Sequence, residues 1–411
     1  MRKYLVLLIL SSVFTVRAQT IPFEIYTVDD NFPGGNIVID SIAGNKVLLH
    51  QDLNDTEASN WFYWNFRVKG AAGKTLTFEF THPWGNERKL LNVIGVRGPG
   101  ISLDSGKTWD WMGTSSVEGT SFYYKFLSDQ NDVRFSFGMP YTSEQLVEFL
   151  KKYKNHPNLD VNNLSITRAG RLVERLHLGN IHGNAKYKIV ITARHHASEM
   201  MASYVLEGIM KYFLEDNTEG KWFRENVEAL IIPFVDKDGV EEGDQGKLRR
   251  GRDHNRDYAG ESLYASTRAL RNYIPVWSKG KMVAGIDLHC PWIRGEDHEN
   301  IHLVGHQDKY VWTEQQKFSK LFEKETANSL LPYYSTSDIP YGALWNIDTN
   351  FANGKSFAAW ATSLKEVKLA TTIEIPYANS SGKIVNQTSS RALGKDLAKA
   401  LIDYLKGINK D

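Results

Sequence analysis

Arg194-His195-His196-Ala197-Ser198-Glu199 follows the β-branched run Ile189-Val190-Ile191-Thr192 and sets an imidazole and a carboxylate three positions apart where a buried strand ends. A zinc ion that does chemistry takes three protein ligands from His, Asp or Glu and leaves a fourth position for water. His196 and Glu199 offer two of them. The run Met282-Val283-Ala284-Gly285-Ile286-Asp287-Leu288-His289 reads as a second apolar strand and ends in a histidine that can be the third. Ligands at strand ends converge on one edge of an α/β sheet, where such folds place their sites. H-x-x-E alone is a frequent chance pattern, so its weight depends on what accompanies it.

Three further stretches accompany it. Pro233-Phe234-Val235-Asp236-Lys237-Asp238-Gly239-Val240 follows another apolar strand, Asp253-His254-Asn255-Arg256-Asp257-Tyr258 follows a polar loop, and Thr371-Thr372-Ile373-Glu374-Ile375-Pro376 puts one carboxylate inside an apolar strand. In this order the pieces resemble the zinc carboxypeptidase superfamily, and within it the cytosolic-carboxypeptidase-like branch, over about residues 140–405. That branch reads A-R-x-H-P-G-E, N-P-D-G-V, D-L-N-R, D-L-H and T-L-E. The resemblance implies an α/β catalytic domain on a mixed, mainly parallel eight-stranded sheet flanked by helices. It also implies one zinc per chain held by His196, Glu199 and His289, and hydrolysis of the carboxyl-terminal peptide or isopeptide bond.

An unpartnered carboxylate in a buried strand costs several kcal/mol, so Glu374 needs a reason to be there. A salt bridge to a core arginine is the plainer one. The resemblance instead makes Glu374 the general base and then the acid to the leaving amine, a role that favours a raised pKa. An exopeptidase must also hold the free carboxylate of its substrate, which arginine does best through a planar fork with an amide alongside. Asn255 and Arg256 align with the N-R of the family's D-L-N-R and are the expected pair.

The chain departs from the family at three places. Ala197-Ser198 stands for Pro-Gly, and Asp236-Lys237 for Asn-Pro; both read as loop variation. At the third, the family's carbonyl-polarising arginine falls on Gly246, so that role is expected to pass to Arg249 or Arg250 in Lys247-Leu248-Arg249-Arg250-Gly251-Arg252. Without such a donor about 2.7–4 kcal/mol of transition-state stabilisation is lost, and zinc would have to carry the load alone. In Gly354-Lys355-Ser356-Phe357-Ala358-Ala359-Trp360, Ser356 stands where glutamate-trimming relatives carry an arginine, and Lys355 is the candidate to face an acidic side chain. A solvated lysine is the plainer reading. His195 and His254 are set aside as ligands because neighbours on a loop rarely point the same way. His298, His302 and His306 have helical metal spacing but read better as part of a strand over Glu299–Gly305. Cys290, the only cysteine, reads as inert core.

A chain of 411 residues exceeds what one core usually organises. The expected division is a signal peptide over 1–18, an all-β sandwich domain over 19–141 and the catalytic domain over 142–411. Met1-Arg2-Lys3, the apolar Tyr4 to Leu10 and Val16-Arg17-Ala18 have the order of a bacterial secretory signal, implying a periplasmic or secreted protein. The apolar run is short for a membrane span, so no stable insertion is expected after cleavage. Aromatic-rich runs such as Trp61 to Val68, Thr75 to Phe80 and Val133 to Gly138 give the first half its sandwich signature. Trp61, Trp64, Trp109 and Trp111 admit a carbohydrate-binding reading, but core or interdomain packing is preferred, with the consecutive run at 61–64 alternating between two faces. Later, Ser143 to Leu150, Val205 to Phe213 and Arg391 to Lys406 read as helices.

A net charge of +1 gives no electrostatic case for nucleic acid or an anionic membrane. Peptide carboxyl termini, peptidoglycan stem peptides and N-acyl amino acids fit as substrates. Two rivals share part of the pattern: an aspartoacylase-type zinc amidohydrolase, and a polymer-binding or glycan-binding protein with a decayed catalytic domain, against which the intact His196, Glu199, His289 and Glu374 argue.

Overall fold

The computed structural model describes residues 26–53, 55–56, 61–81 and 93–408. The leader read over residues 1–18 lies outside them. Residues 27–136 build two five-stranded sheets, one ordered Thr27–Asp29, Asn65–Lys69, Asp132–Ser136, Gly100–Ser102, Asp110–Trp111 and the other Val38–Ala43, Lys46–His50, Thr75–Phe80, Ser121–Lys125, Val117–Glu118. Their inner faces meet ring on ring: Phe66 and Phe135 of the first sheet lie 5.1 and 5.4 Å, centroid to centroid, from Phe78 of the second. Alternating positions along short strands put these aromatics on one side, which is why the sandwich closes.

The tryptophans follow the packing reading. Trp64 and Trp109 are buried, and the Trp111 indole N–H donates to the Val385 carbonyl at 2.7 Å. The expected alternation at 61–64 fails, because the strand begins only at Asn65. Phe62, Tyr63 and Trp64 are all buried. The Gln245 side-chain carbonyl takes the Phe62 and Tyr63 amides at 3.0 and 2.9 Å, in place of a partner strand.

The later half builds a seven-stranded sheet ordered Leu159–Ile166, Leu172–Gly179, Val227–Ile232, Tyr187–Ala193, Met282–His289, Leu369–Glu374, His302–Val304. The expected eight strands are therefore seven among the described residues. The four central strands, Val227–Ile232 to Leu369–Glu374 in that order, are parallel, and the flanking pairs are antiparallel. All eight residues of Met282–His289 are buried, as both-face helix cover requires. The register sets His289 beside Glu374 and Thr192 beside Asp287, so the chemistry-bearing residues reach one edge together. The His302–Val304 strand is shorter than expected, since Glu296–His298 forms a helical turn before it.

The helices Ser143–Lys151, Met201–Leu214 and Gln387–Gly407 stand where the periodicity puts them. Gln145, at the third helical position, accepts the Thr142 amide at 2.8 Å and closes the first of them. The other two cross at glycines. A Cβ at Gly394 would stand 2.0 Å from the Val205 carbonyl oxygen, and one at Gly208 would stand 2.1 Å from that of Arg391. The apolar core is continuous across both halves: the Tyr377 ring lies 5.5 Å from Phe62 and 5.2 Å from Phe137.

Gly394→Ala should therefore cost about 1–3 kcal/mol through overpacking at this crossing, read as a lower denaturant midpoint at unchanged slope. Wild-type stability in that variant would contradict the tight contact.

Candidate metal centre

The site forms where the Tyr187–Ala193 strand runs out. Arg194 takes a left-handed backbone conformation (φ 60°), and its buried guanidinium binds the Ala197 carbonyl, the Tyr141 carbonyl at 2.9 Å and Ser203 Oγ at 3.0 Å. The loop is wrapped around that cation, which sends His195 and His196 opposite ways. His195 goes inward: Nδ1 meets Asp287 Oδ1 and Nε2 meets the Tyr258 hydroxyl, each at 2.8 Å. His196 faces a cavity of about 580 Å³.

In that cavity His196 Nδ1 lies 2.9 Å from Glu199 Oε1 and 3.2 Å from His289 Nδ1, and His289 Nδ1 lies 2.8 Å from Glu199 Oε2. Two imidazole nitrogens facing each other across a carboxylate make a cation-binding set. Glu199 Oε2, fully buried, accepts no hydrogen bond in good geometry. The far nitrogens are held from behind. His196 Nε2 meets Asp253 Oδ2 at 3.0 Å and His289 Nε2 meets Asp287 Oδ2 at 2.6 Å, which fixes each ring's orientation. His195, Asp287 and His289 also cluster closely enough for a metal. There, however, Asp287 gives one oxygen to each imidazole and also accepts the Thr192 hydroxyl at 2.8 Å, a satisfied hydrogen-bond network.

Electrostatics follow the same geometry. Burial opposes ionisation of Glu199, but Lys247, His196 and His289 hold its pKa well below the usual carboxylate value. Burial likewise opposes charge on His196 and His289, and the carboxylates of Asp253, Asp287 and Glu199 outweigh it and raise both. Glu374 goes the other way: burial raises it, against the pull of Lys247 and His289, and its Oε2 has no hydrogen-bond partner.

Arg256 lines the cavity, with Nε on the Asn350 carbonyl at 2.8 Å and terminal nitrogens on the Asn255 carbonyl and Asn350 Oδ1 at 2.8 and 3.2 Å. One N–H on each terminal nitrogen is left over. Asn255 is more tied than expected: Oδ1 accepts the Phe357 amide at 2.9 Å and Nδ2 lies 3.2 Å from His289 Nε2. Lys355 is exposed at the cavity rim.

Arg249 and Arg250 require a correction, since neither lines the cavity. Arg249 is consumed by Asp236 at 2.5 Å and Asp244 at 2.7 Å, and Arg250 is exposed with Nε on the Thr56 carbonyl at 3.3 Å. Asp236-Lys237 is likewise more than loop variation, because Asp236 caps the Lys237–Glu242 helix and pairs with Arg249. The residue that does reach the ligands is Lys247, whose Nζ lies 2.9 Å from Glu199 Oε1. Sequence reasoning passed over it, and over Asp253 and Asp287, although both acids stand inside the quoted motifs. His254 stacks on Tyr264 at 3.6 Å, and burial lowers its pKa to about 4. His302 is engaged by the Ser337 and Asp297 carbonyls, and among the described residues the 298–306 histidines form no metal cluster.

Residues 146–326 match the family model described as zinc carboxypeptidase. Those residues, less than half of the chain, form a zinc carboxypeptidase domain by that match. It is 26% identical over 302 residues to cytosolic carboxypeptidase 2 of Xenopus tropicalis, covering 64% of this chain and 30% of that protein. It is 23% identical over 335 residues to cytosolic carboxypeptidase 6 of Caenorhabditis elegans, covering 74% of this chain and 70% of that protein. Among solved structures, a metallo-carboxypeptidase from Burkholderia cenocepacia superposes with a TM-score of 0.77 at 20% identity, covering 93% of this chain and 99% of that one. One from Pseudomonas aeruginosa, in complex with (2-guanidinoethylmercapto)succinic acid, gives 0.71 at 19%, covering 93% and 100%. The chain spans less than a third of the first relative, and the structural likeness establishes the fold.

The family's zinc fits the residues present: two imidazole nitrogens and a carboxylate are the ligand set of a catalytic zinc with one open position. Asp253→Asn keeps the ring partner's shape and removes its charge, so zinc affinity should fall about 10–100-fold, measured by chelator competition on a folded variant. Undiminished affinity would separate Asp253 from metal binding.

Proposed function

We propose that the protein is a zinc metallocarboxypeptidase that removes the carboxyl-terminal residue of peptides. The observation that carries this is that the cluster of His196, Glu199 and His289 opens through its two histidines onto the cavity that Glu374 and Arg256 also line. One zinc per chain, held by those three ligands, would supply Lewis acidity that acidifies water and polarises the peptide carbonyl. Glu374 takes the water's proton. Its raised pKa and unpartnered Oε2 suit it to receive that proton and deliver it to the leaving amine. Arg256 holds the terminal carboxylate with the N–H groups that Asn350 and the Asn255 carbonyl leave over, and so selects the last peptide bond. Asn255, whose Oδ1 accepts the Phe357 amide, lines the same cavity.

The same reading takes residues 19–141 as a sandwich domain, 142–411 as the catalytic domain and 1–18 as a signal for export to the periplasm or beyond. Peptidoglycan stem peptides are then accessible substrates. Lys355, exposed at the rim, is available to an acidic side chain.

Hydrolysis of a peptide as free acid and as carboxamide tests this. The wild type should cleave one residue at a time from the acid and leave the amide intact. Glu374→Gln should retain zinc while turnover on the acid falls at least about 100-fold. Equal rates on acid and amide would contradict an exopeptidase, and cleavage of N-acyl amino acids alone would favour the amidohydrolase.

A further inference from the structure

We propose that Lys247 is the catalytic cation that binds the carbonyl oxygen of the scissile bond as negative charge develops on it; this rests on the carboxypeptidase reading above. Peptide hydrolysis places charge on that oxygen, and a donor preorganised beside it carries much of the rate enhancement. The arginines suggested by the sequence are spent elsewhere. Of the lysine and arginine side chains lining the cavity, Arg256 is assigned to the terminal carboxylate and Lys355 is exposed at the rim, whereas Lys247 reaches the ligand cluster.

The chain path explains why this position falls to Lys247. Gly246 has φ +80°, and a Cβ there would stand 2.3 Å from the Ala197 nitrogen and 3.0 Å from His196 Cα. No side chain fits at 246, so no arginine can project from it. The turn hands the next residue into the cavity. Both sides of the turn are fixed by the first half of the chain: Asp55 Oδ2 accepts the Gly246 amide at 2.8 Å, and the Thr56 hydroxyl donates to the Lys247 carbonyl at 2.9 Å. The strand-rich half thus acts as the mount of a catalytic group.

Lys247 Nζ also donates to the Cys290 carbonyl at 2.9 Å and lies 5.6 Å from the centre of the Trp61 ring. Glu199 Oε1 takes both Lys247 and His196 Nδ1 at 2.9 Å. With Glu199 engaged as a metal ligand, the Lys247 ammonium would be free to turn toward the cavity and would keep the Cys290 carbonyl as its anchor. In the reaction the water oxygen bonds to the carbonyl carbon and one water proton passes to Glu374. The carbon–nitrogen bond then breaks, with that proton going to the departing amine and the second lost from the new carboxyl group. Lys247 keeps its own protons throughout and donates a hydrogen bond to the oxygen.

The zinc-loaded full-length enzyme and its Lys247→Met and Lys247→Arg variants decide this, using a cleaved peptide acid and a peptide phosphonate as tetrahedral-anion probe. Lys247→Met should retain stoichiometric zinc and a KM within a few-fold of wild type. Its kcat should fall about 100–1000-fold, with phosphonate binding by calorimetry weakened in parallel. Lys247→Arg should recover part of both. A Lys247→Met enzyme with near-normal kcat, or one whose phosphonate affinity falls no more than its substrate affinity, overturns the assignment. Loss of zinc along with activity also overturns it, leaving Lys247 only a structural partner of Glu199. A wild type inactive on every peptide acid overturns the carboxypeptidase reading instead.

Discussion

Burying the Glu199 carboxylate against two imidazoles is the constraint around which the rest is arranged. A buried charge costs several kcal/mol unless compensated, and compensation by removable cations leaves the site able to accept a metal. Here His196, His289 and Lys247 share the task, and each of them touches Glu199. That demand explains the second layer. Asp253 and Asp287 stand behind the two imidazoles, and His195, Tyr258 and Thr192 complete the hydrogen bonding of Asp287 and its neighbours.

The parallel strands make this arrangement possible. Because their carboxyl ends share an edge and the register pairs His289 with Glu374, three segments distant in sequence deliver their polar residues to one place. The strand-rich half is part of the same construction. It supplies Asp55, Thr56 and the Phe62 and Tyr63 amides that hold the 245–247 turn, and Trp61 forms part of the cavity wall. Its core is also continuous with that of the sheet, so the two halves support one site jointly.

What was legible in the sequence was local. The strand ending at His289 is bounded where its apolar run is, because a strand covered on both faces declares itself in uninterrupted hydrophobicity. The ligand-type residues sit at strand ends, where position and chemistry are both visible. What stayed hidden depends on distant contacts. Nothing local tells that Arg249 is neutralised by Asp236 and Asp244, or that Gly246 is forced by the backbone of Ala197. Counting arginines near the family's position therefore pointed to cations that do not line the cavity. The run at 61–64 misled for a similar reason: its amides are satisfied by the Gln245 side chain, so an aromatic stretch with strand composition lies outside any sheet.

The central claim, that His196, Glu199 and His289 form a zinc centre, is tested most directly by metal analysis with X-ray absorption spectroscopy on wild type and His289→Ala. The account predicts one zinc per wild-type chain, with two imidazole nitrogens at about 2.0–2.1 Å and the remaining scatterers oxygen, and loss of that metal in the variant. Full occupancy of His289→Ala with an unchanged spectrum, or a sulfur ligand from Cys290 in the wild type, would contradict it.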